Sequence, residues 1–305
     1  MSLLWNISKS FLFFCLVALL LVLAVLIPRT PDIAVQGRAM TVDYSYEFSM
    51  EAYKHNISMF IKNITKNNTL GTTRYNKPAE EELVLHFARS LKVIITGFAI
   101  TLLFGILKGI YDFYDRGRRF KPFGKGFTWI VQSIPDFFLI LFLQYIIIFY
   151  LPIIKVLGHE HDYSFVLPAV LVSLYPMMFV ARITSTSLAN EEGKAYIQVA
   201  RSKGLSKSRV LLNHMFRNSI IPIFSNLPSM MMYLLSNLLI VEFLLDYRGA
   251  AYRLFYAFDV KQSLYNGMNY IDESGLIIGI GLCFMIIVLC SQIISQIVIK
   301  KAEPK

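Results

Sequence analysis

Six stretches of this chain stay apolar long enough to form a pattern, at about 10–27, 91–111, 127–151, 164–183, 219–245 and 275–299, with polar segments between them. Crossing about 30 Å of hydrocarbon takes roughly 20 apolar residues as a helix, because only a helix or a closed barrel pairs all of its own backbone groups there. The pattern predicts an all-α integral membrane protein with about six transmembrane helices. The second stretch carries Lys92 and Lys108 near its ends, where long side chains can snorkel to the headgroups.

The polar segments predict an orientation, because short cytoplasmic loops collect Lys and Arg. Segment 112–126 holds Arg116, Arg118, Arg119, Lys121 and Lys125, and 184–218 holds Lys194, Arg201, Lys203, Lys207, Arg209 and Arg217. Both are expected inside, together with Lys300, Lys301 and Lys305 of the tail, so that both termini are cytoplasmic. Segment 152–163 has Lys155 as its one Lys or Arg and fits the outside. Lys9 precedes the first apolar stretch, but Ile27-Pro28-Arg29-Thr30 offers no small-x-small cleavage site, so an uncleaved anchor is expected. The domains read as an anchor at 1–27, an extracytoplasmic segment at 28–90 forming a small cap, and a core at 91–305 with a cytoplasmic loop at 184–218. Three N-x-S/T matches, at Asn56, Asn63 and Asn67, fit an ordinary solvated Asn-rich surface.

Composition agrees: 55% hydrophobic and 16% charged residues is too apolar for a soluble domain of 305 residues. A net charge of +10 points to anionic lipid, with the short-loop excess at the inner surface, and no nucleic-acid partner is expected. Cys15, Cys283 and Cys290 all fall inside apolar stretches and suit packing. Gly124-Lys125-Gly126 lacks the spacing and hydroxyl of a phosphate loop, so no cofactor is expected in this chain, and any ATP must be bound by another. His159-Glu160-His161 lacks a further ligand, so no metal site is expected. The sequence contains no His-Glu-x-x-His, Gly-x-Ser-x-Gly or paired intramembrane Asp, which leaves an enzyme without a nucleophile or metal.

Polar residues inside apolar stretches are costly and mark pathways or helix-to-helix hydrogen bonds. Gln132, Asp136, Asn226, Ser229, Asn237 and Glu242 are the candidates, with both roles open. Within 184–218, Glu191 to Lys203 can form a short amphipathic helix with Tyr196, Val199 and Ala200 on one side. Gly204 suits a left-handed helix end, Ser206 can cap a following helix bearing Val210, Leu211, His214 and Met215, and Pro222 can open the next span.

These residues also resemble a family. Tyr196, Ala200, Arg201, Lys203, Gly204, Leu205, His214, Arg217, Asn218, Ile221 and Pro222 stand in register with the cytoplasmic coupling loop of permease subunits of ATP-binding-cassette importers, specifically the first permease of the dipeptide/oligopeptide/nickel type. Asn68 to Thr73, Ser133-Ile134-Pro135 with Phe137, Leu167-Pro168-Ala169, Ala181-Arg182, and Val241-Glu242 with Gly249 resemble its other motifs. Ala195 replaces the usual loop acid, moving any ionic contact to Glu191 or Glu192, and Leu245, Arg248 and Ala251 depart from the outer motif.

The resemblance implies a type I importer permease fold with an extracytoplasmic segment after the first helix, in a bacterial cytoplasmic membrane. It implies four kinds of partner: the bilayer, a second permease subunit, two cytoplasmic ATP-binding subunits and an extracytoplasmic substrate-binding protein. Ala200, Arg201, Ser202, Lys203, Gly204 and Leu205 would then meet an ATPase, with Tyr196 as anchor. Di- or oligopeptides are the expected substrates; nickel or a metal chelate, or a non-transporting sensor or immunity component, are the alternatives.

Overall fold

Backbone groups in hydrocarbon have to pair within their own segment, and most of this chain is helix. The computed structural model describes residues 3–28, 32–36, 41–45, 48–115, 122–150, 158, 160–258 and 273–302. In chain order these form α1 (Leu3–Val25), β1 (Asp32–Gln36), β2 (Thr41–Ser45), α2 (Met50–Lys66), α3 (Ala79–Tyr114), α4 (Lys125–Ser133), α5 (Asp136–Tyr150), α6 (Val166–Glu192), α7 (Ala195–Ser202), α8 (Lys207–Val210), α9 (Phe216–Ser225), α10 (Leu227–Leu244), α11 (Ala250–Phe258) and α12 (Ser274–Ala302). The antiparallel hairpin β1–β2, in register from Asp32↔Ser45 to Gln36↔Thr41, is the sole pair of strands among the described residues.

Among the described residues five helices are long and apolar enough to cross a membrane, and a sixth crossing arises if α4 and α5 count as one span. That pair is bent by 102° rather than straight. Pro135 has no N–H and pushes its predecessor out of the helical region, and Ile134 is extended at φ −87°, ψ 132°. The expected span at 219–245 is also divided. Pro222 sits inside α9, the break falls at Asn226, and Pro228 at the start of α10 opens the crossing. Ser225 Oγ and Asn226 Nδ2 both donate to the Pro222 carbonyl, at 2.9 and 2.8 Å, which closes α9. Arg116, Arg118, Arg119, Lys121, Lys155 and Lys305 of the charged segments, and His159 of the His-Glu-His run, lie outside the described residues.

Two compact units divide the chain. The first comprises Met1–Leu12, Ala88–Tyr252 and Ile286–Lys305. At its centre α6 packs against α4, α5, α9 and α10, and much of its length is buried, from Pro168 to Glu191. Gly105 and Gly109 of α3 lie directly on α6. A Cβ at Gly105 would sit 2.7 Å from Val180 Cβ and 2.9 Å from the Met177 carbonyl, and one at Gly109 would strike Thr184 and the Ala181 carbonyl. This is close small-residue packing, which lets helix backbones gain dispersion contacts where lipid removes the hydrophobic drive. Lys108, expected to snorkel, instead turns to Asp112 four residues on; its Nζ also donates to Thr128 Oγ1 at 2.8 Å, and Thr128 donates to Asp112 at 2.6 Å.

The second unit comprises Phe13–Phe87 and Arg253–Met285. Val25, Leu26, Ile277 and Ile278 form its buried apolar cluster, with Tyr53, Ile57 and Phe60 of α2 packed against it. A polar cluster lies in the same unit. Arg253 donates to Glu82 at 2.7 Å and to both Glu273 oxygens at 2.6 and 3.1 Å. Arg74 reaches Glu273 through its backbone N–H at 2.8 Å and its Nε at 3.1 Å, and Thr73 donates to Glu82 at 2.9 Å. All the charges are paired, as burial requires. Burial alone would raise the Glu273 carboxyl, but the hydrogen bonds from Arg253 and Arg74 and their charges outweigh it and hold the group below its ordinary 4.5.

Candidate functional site

The segment following α6 is an ordered elbow. Gly193 ends α6, Lys194 is extended at φ −74°, ψ 146°, and α7 starts at Ala195. One buried carboxylate holds the two helices together. Glu191 accepts from Lys194 Nζ at 2.5 Å, from the Tyr196 hydroxyl and from Asn218 Nδ2 at 3.5 Å, and Asn218 also donates to the Tyr196 oxygen at 2.8 Å. Burial, and then the hydrogen bond to Glu191, hold the Tyr196 phenol above its usual range.

The inward face of α7 is set by Ile197 and Ala200, 0% and 6% exposed, which join Leu188, Val210, Leu211 and Met215 in one apolar cluster. Residues three apart share a helix face, so Ile197 joins Ala200 there, with Tyr196 of the expected set packed against the same cluster. Val199 is 52% exposed and does not share the face of Ala200. Full burial of Ile197 contributes about 1.5–3 kcal/mol.

A Schellman motif ends α7. Leu205 N–H bonds to the Ala200 carbonyl at 3.4 Å and Gly204 N–H to the Arg201 carbonyl at 3.0 Å, with Gly204 at φ +76°. The matching apolar contact is present, since Leu205 packs on the cluster that contains Ala200. Ser206 is extended and precedes α8, but its side chain makes no capping bond. Beyond α8, Leu211–Met215 form a π-helical turn with Leu211 and Met215 buried, and His214 lies on it away from the buried set.

The residues expected to meet a partner therefore divide. Arg201, Ser202, Lys203 and Gly204 are exposed at the tip, Leu205 is half-buried, Ala200 is turned inward, and Tyr196 is half-buried in the Glu191 clamp. Glu191, considered as a replacement for the missing acid at Ala195, is committed to that clamp. Glu192 is the exposed acid, 3.0 Å from Arg201. Beside the tip lies a groove of about 510 Å³ lined by Tyr114, Glu192, Arg201, Leu205, Lys207 and Met215 among others. The Glu191–Asn218 contact has no local signal in the sequence: Asn218 belongs to the loop motif, but only the fold brings it to Tyr196 and Glu191.

The polar residues of the spans are not gathered at one point. Glu242 is fully buried, accepting from Ser90 at 2.5 Å and from the backbone N–H groups of Ala251 and Tyr252 at 2.9 and 3.1 Å in the first turn of α11. A Cβ at Gly249 would overlap this carboxylate, which explains the glycine there. Beside it, Tyr247 donates to the Arg89 carbonyl at 3.3 Å, its phenol pushed up to about 12 by burial and by the Glu242 charge. Asp136, the first residue of α5, accepts from the Phe137 N–H at 2.9 Å; a carboxylate is favoured at a helix start. Asn226 closes α9, Ser229 is exposed, and Gln132 has a buried Nε2 with no hydrogen-bond partner among the described residues. Asn237 stands apart: its side chain is fully buried in α10, with neither amide atom hydrogen-bonded among the described residues. No group of three or more His, Cys, Asp or Glu able to hold a metal occurs among the described residues.

Comparison with known proteins gives a family match. The family described as binding-protein-dependent transport system inner membrane component matches residues 90–304. Among individual relatives, a glutathione transport system permease protein of Salmonella choleraesuis (strain SC-B67) is 28% identical over 187 residues, 61% of this chain and 60% of that protein. The protein of the same description from Pectobacterium atrosepticum is 27% identical over 198 residues, 64% of each chain. A Brucella abortus (strain 2308) protein, provisionally named a peptide transport system permease protein, is 27% identical over 160 residues, 48% of this chain and 50% of its own. The chain thus spans about three-fifths of the length of the first of these relatives.

Proposed function

The chain belongs to the family of binding-protein-dependent transport system inner membrane components, and we propose that it is one permease subunit of an ATP-driven importer of peptide-like substrates. In this reading two separate cytoplasmic ATP-binding subunits supply the energy, a second permease completes the pathway, and an extracytoplasmic binding protein delivers the substrate. The observation that carries the proposal is the elbow. A tip of exposed Arg201, Ser202, Lys203 and Gly204 is held by buried Ile197 and Ala200 and by the Glu191–Tyr196–Asn218 contacts.

Force passes through such an element only if it moves as a body. Loose loops absorb displacement, whereas a packed two-helix unit has few alternatives to following its partner. The basic tip suits an acidic recess on an ATPase. The sequence carries no phosphate-loop motif, so in this reading the nucleotide is bound by that partner. Glutathione and peptides are the substrates named for the relatives, and peptide-like compounds are what we propose here.

The test is purification of the tagged chain from its native membrane, followed by reconstitution with its co-purifying subunits. The proposal expects an ATPase and a second permease, and ATP hydrolysis that rises when binding protein loaded with peptide is added. A chain that purifies without any ATP-binding subunit, or whose deletion leaves peptide and glutathione uptake unchanged, contradicts it.

A further inference from the structure

Helix α2 carries an apolar stripe wider than its packing uses. Met50, Tyr53, Ile57, Phe60, Ile61 and Ile64 recur at helical spacing. The middle of the stripe, Tyr53, Ile57 and Phe60, rests on the cluster of Val25, Leu26, Ile277 and Ile278. The remainder does not: Met50, Ile61 and Ile64 are 56%, 53% and 42% exposed. The rest of the helix surface bears Lys54, Lys62 and Lys66 against Glu51.

The height of this stripe is fixed by α1. The apolar span of α1 ends at Val25, and a helix end leaves carbonyls unpaired. α2 satisfies one carbonyl of that last turn and one just past it: the Tyr53 hydroxyl donates to the Leu23 carbonyl at 2.9 Å and Asn56 Nδ2 to the Leu26 carbonyl at 3.2 Å. α2 is thereby tied to the level at which α1 leaves the hydrocarbon. The span itself carries exposed apolar residues as well, among them Leu16, Leu19 and Leu20.

We propose that α2 is an interfacial helix whose uncovered apolar edge, Met50, Ile61 and Ile64, lies in the bilayer surface, with Lys54, Lys62 and Lys66 at anionic headgroups. An apolar stripe along one side, a basic polar face on the other and too many charges to cross hydrocarbon are the properties of helices that lie in that plane. The occupant of the edge is lipid. Part of segment 28–90 is then a membrane-bound collar that fixes α1 against the start of α12, and the proposal holds whether or not the chain imports peptides.

The test uses the full chain in vesicles of phosphatidylcholine and phosphatidylglycerol, with Trp5→Phe and Trp129→Phe to clear the background. Ile61→Trp and, independently, Ile64→Trp report on the edge, and Lys62→Trp reports on the polar side. The expected result is strong loss of Ile61→Trp and Ile64→Trp emission with acyl-chain-brominated lipid and little loss with aqueous acrylamide, the reverse holding for Lys62→Trp. If acrylamide quenches all three alike, the edge faces water and the proposal is overturned. If the edge is shielded from both quenchers, protein covers it, and lipid is equally ruled out.

Discussion

Tyr196 donates its hydroxyl proton to the Glu191 carboxylate across the break that Gly193 makes between α6 and α7. The bond joins the end of the central helix of the first unit to the element that carries the exposed basic tip. With Asn218 bonded to both groups, the angle between α6 and α7 is held from three sides.

Tyr196→Phe keeps the ring packing and removes the donor, leaving a buried acid with one fewer partner. Loss of a hydrogen bond to a charged group costs about 1.5–3 kcal/mol, so the variant is expected to melt at lower temperature in detergent and to import more slowly at unchanged expression. Because the phenol is held above its usual range, its neutral form is the folded one. The contribution is complete below the ordinary tyrosine value of about 10 and is lost only as pH rises past the elevated one. Melting temperatures of the two proteins should therefore converge in strong alkali and differ by a constant amount at neutral pH.

Gly204→Val places a β-branched side chain at φ +76°, where there is space for it but no relaxed backbone. The left-handed region costs a non-glycine residue roughly 1–2 kcal/mol, and more when it is β-branched. Uptake should fall while ATP hydrolysis by the assembled complex persists. Gly204→Asn should retain more activity, since Asn tolerates this conformation. Parallel assays of hydrolysis and uptake check the ordering.

Glu273→Gln removes one carboxylate from between two guanidinium groups and leaves Arg253 half-satisfied and buried. Breaking a buried pair in this way costs about 3–5 kcal/mol. Since Glu273 is held below 4.5, its contribution is present above that value and is lost as pH falls through the depressed one. Melting curves of the native protein should weaken only under strong acid, whereas those of the variant should be lower already at neutral pH.

Gly109→Leu drives a side chain into Thr184 and the Ala181 carbonyl. Overpacking costs about 1–3 kcal/mol, and here it also separates α3 from α6. The expected outcome is a large loss of folded protein on size exclusion in detergent, while Gly126→Ala, at a glycine with open space around it, should behave as the native chain.

Some of this is readable in the chain and the rest is hidden for identifiable reasons. Long apolar runs reveal spans because lipid demands them, and Gly204 reveals a helix end because few residues tolerate its φ. The bend at Ile134-Pro135 is equally visible as a proline but not in its size, which depends on how α4 and α5 each pack on α6. Pro222 misleads, because α9 continues through it to Ser225 and Asn226 supplies the actual stop. Lys108 misleads in another way: its partner Asp112 is legible at four residues' distance, but Thr128, which hydrogen-bonds to both, comes from another helix. The Arg253–Glu82–Glu273–Arg74 cluster joins residues up to 199 positions apart, beyond the reach of any local pattern. The Gly105-x-x-x-Gly109 spacing is present in the chain, but its meaning depends on which helix lies opposite.

The most direct test of the elbow is site-directed cross-linking in the assembled complex. With Cys15, Cys283 and Cys290 replaced by Ser, Ser202→Cys on the exposed tip and Ser58→Cys on α2 are each coupled to a short bifunctional reagent. A product between Ser202→Cys and the ATP-binding subunit is expected, with a yield that changes with ATP, and none from Ser58→Cys. A tip that links to no ATP-binding subunit while the complex still hydrolyses ATP would contradict it.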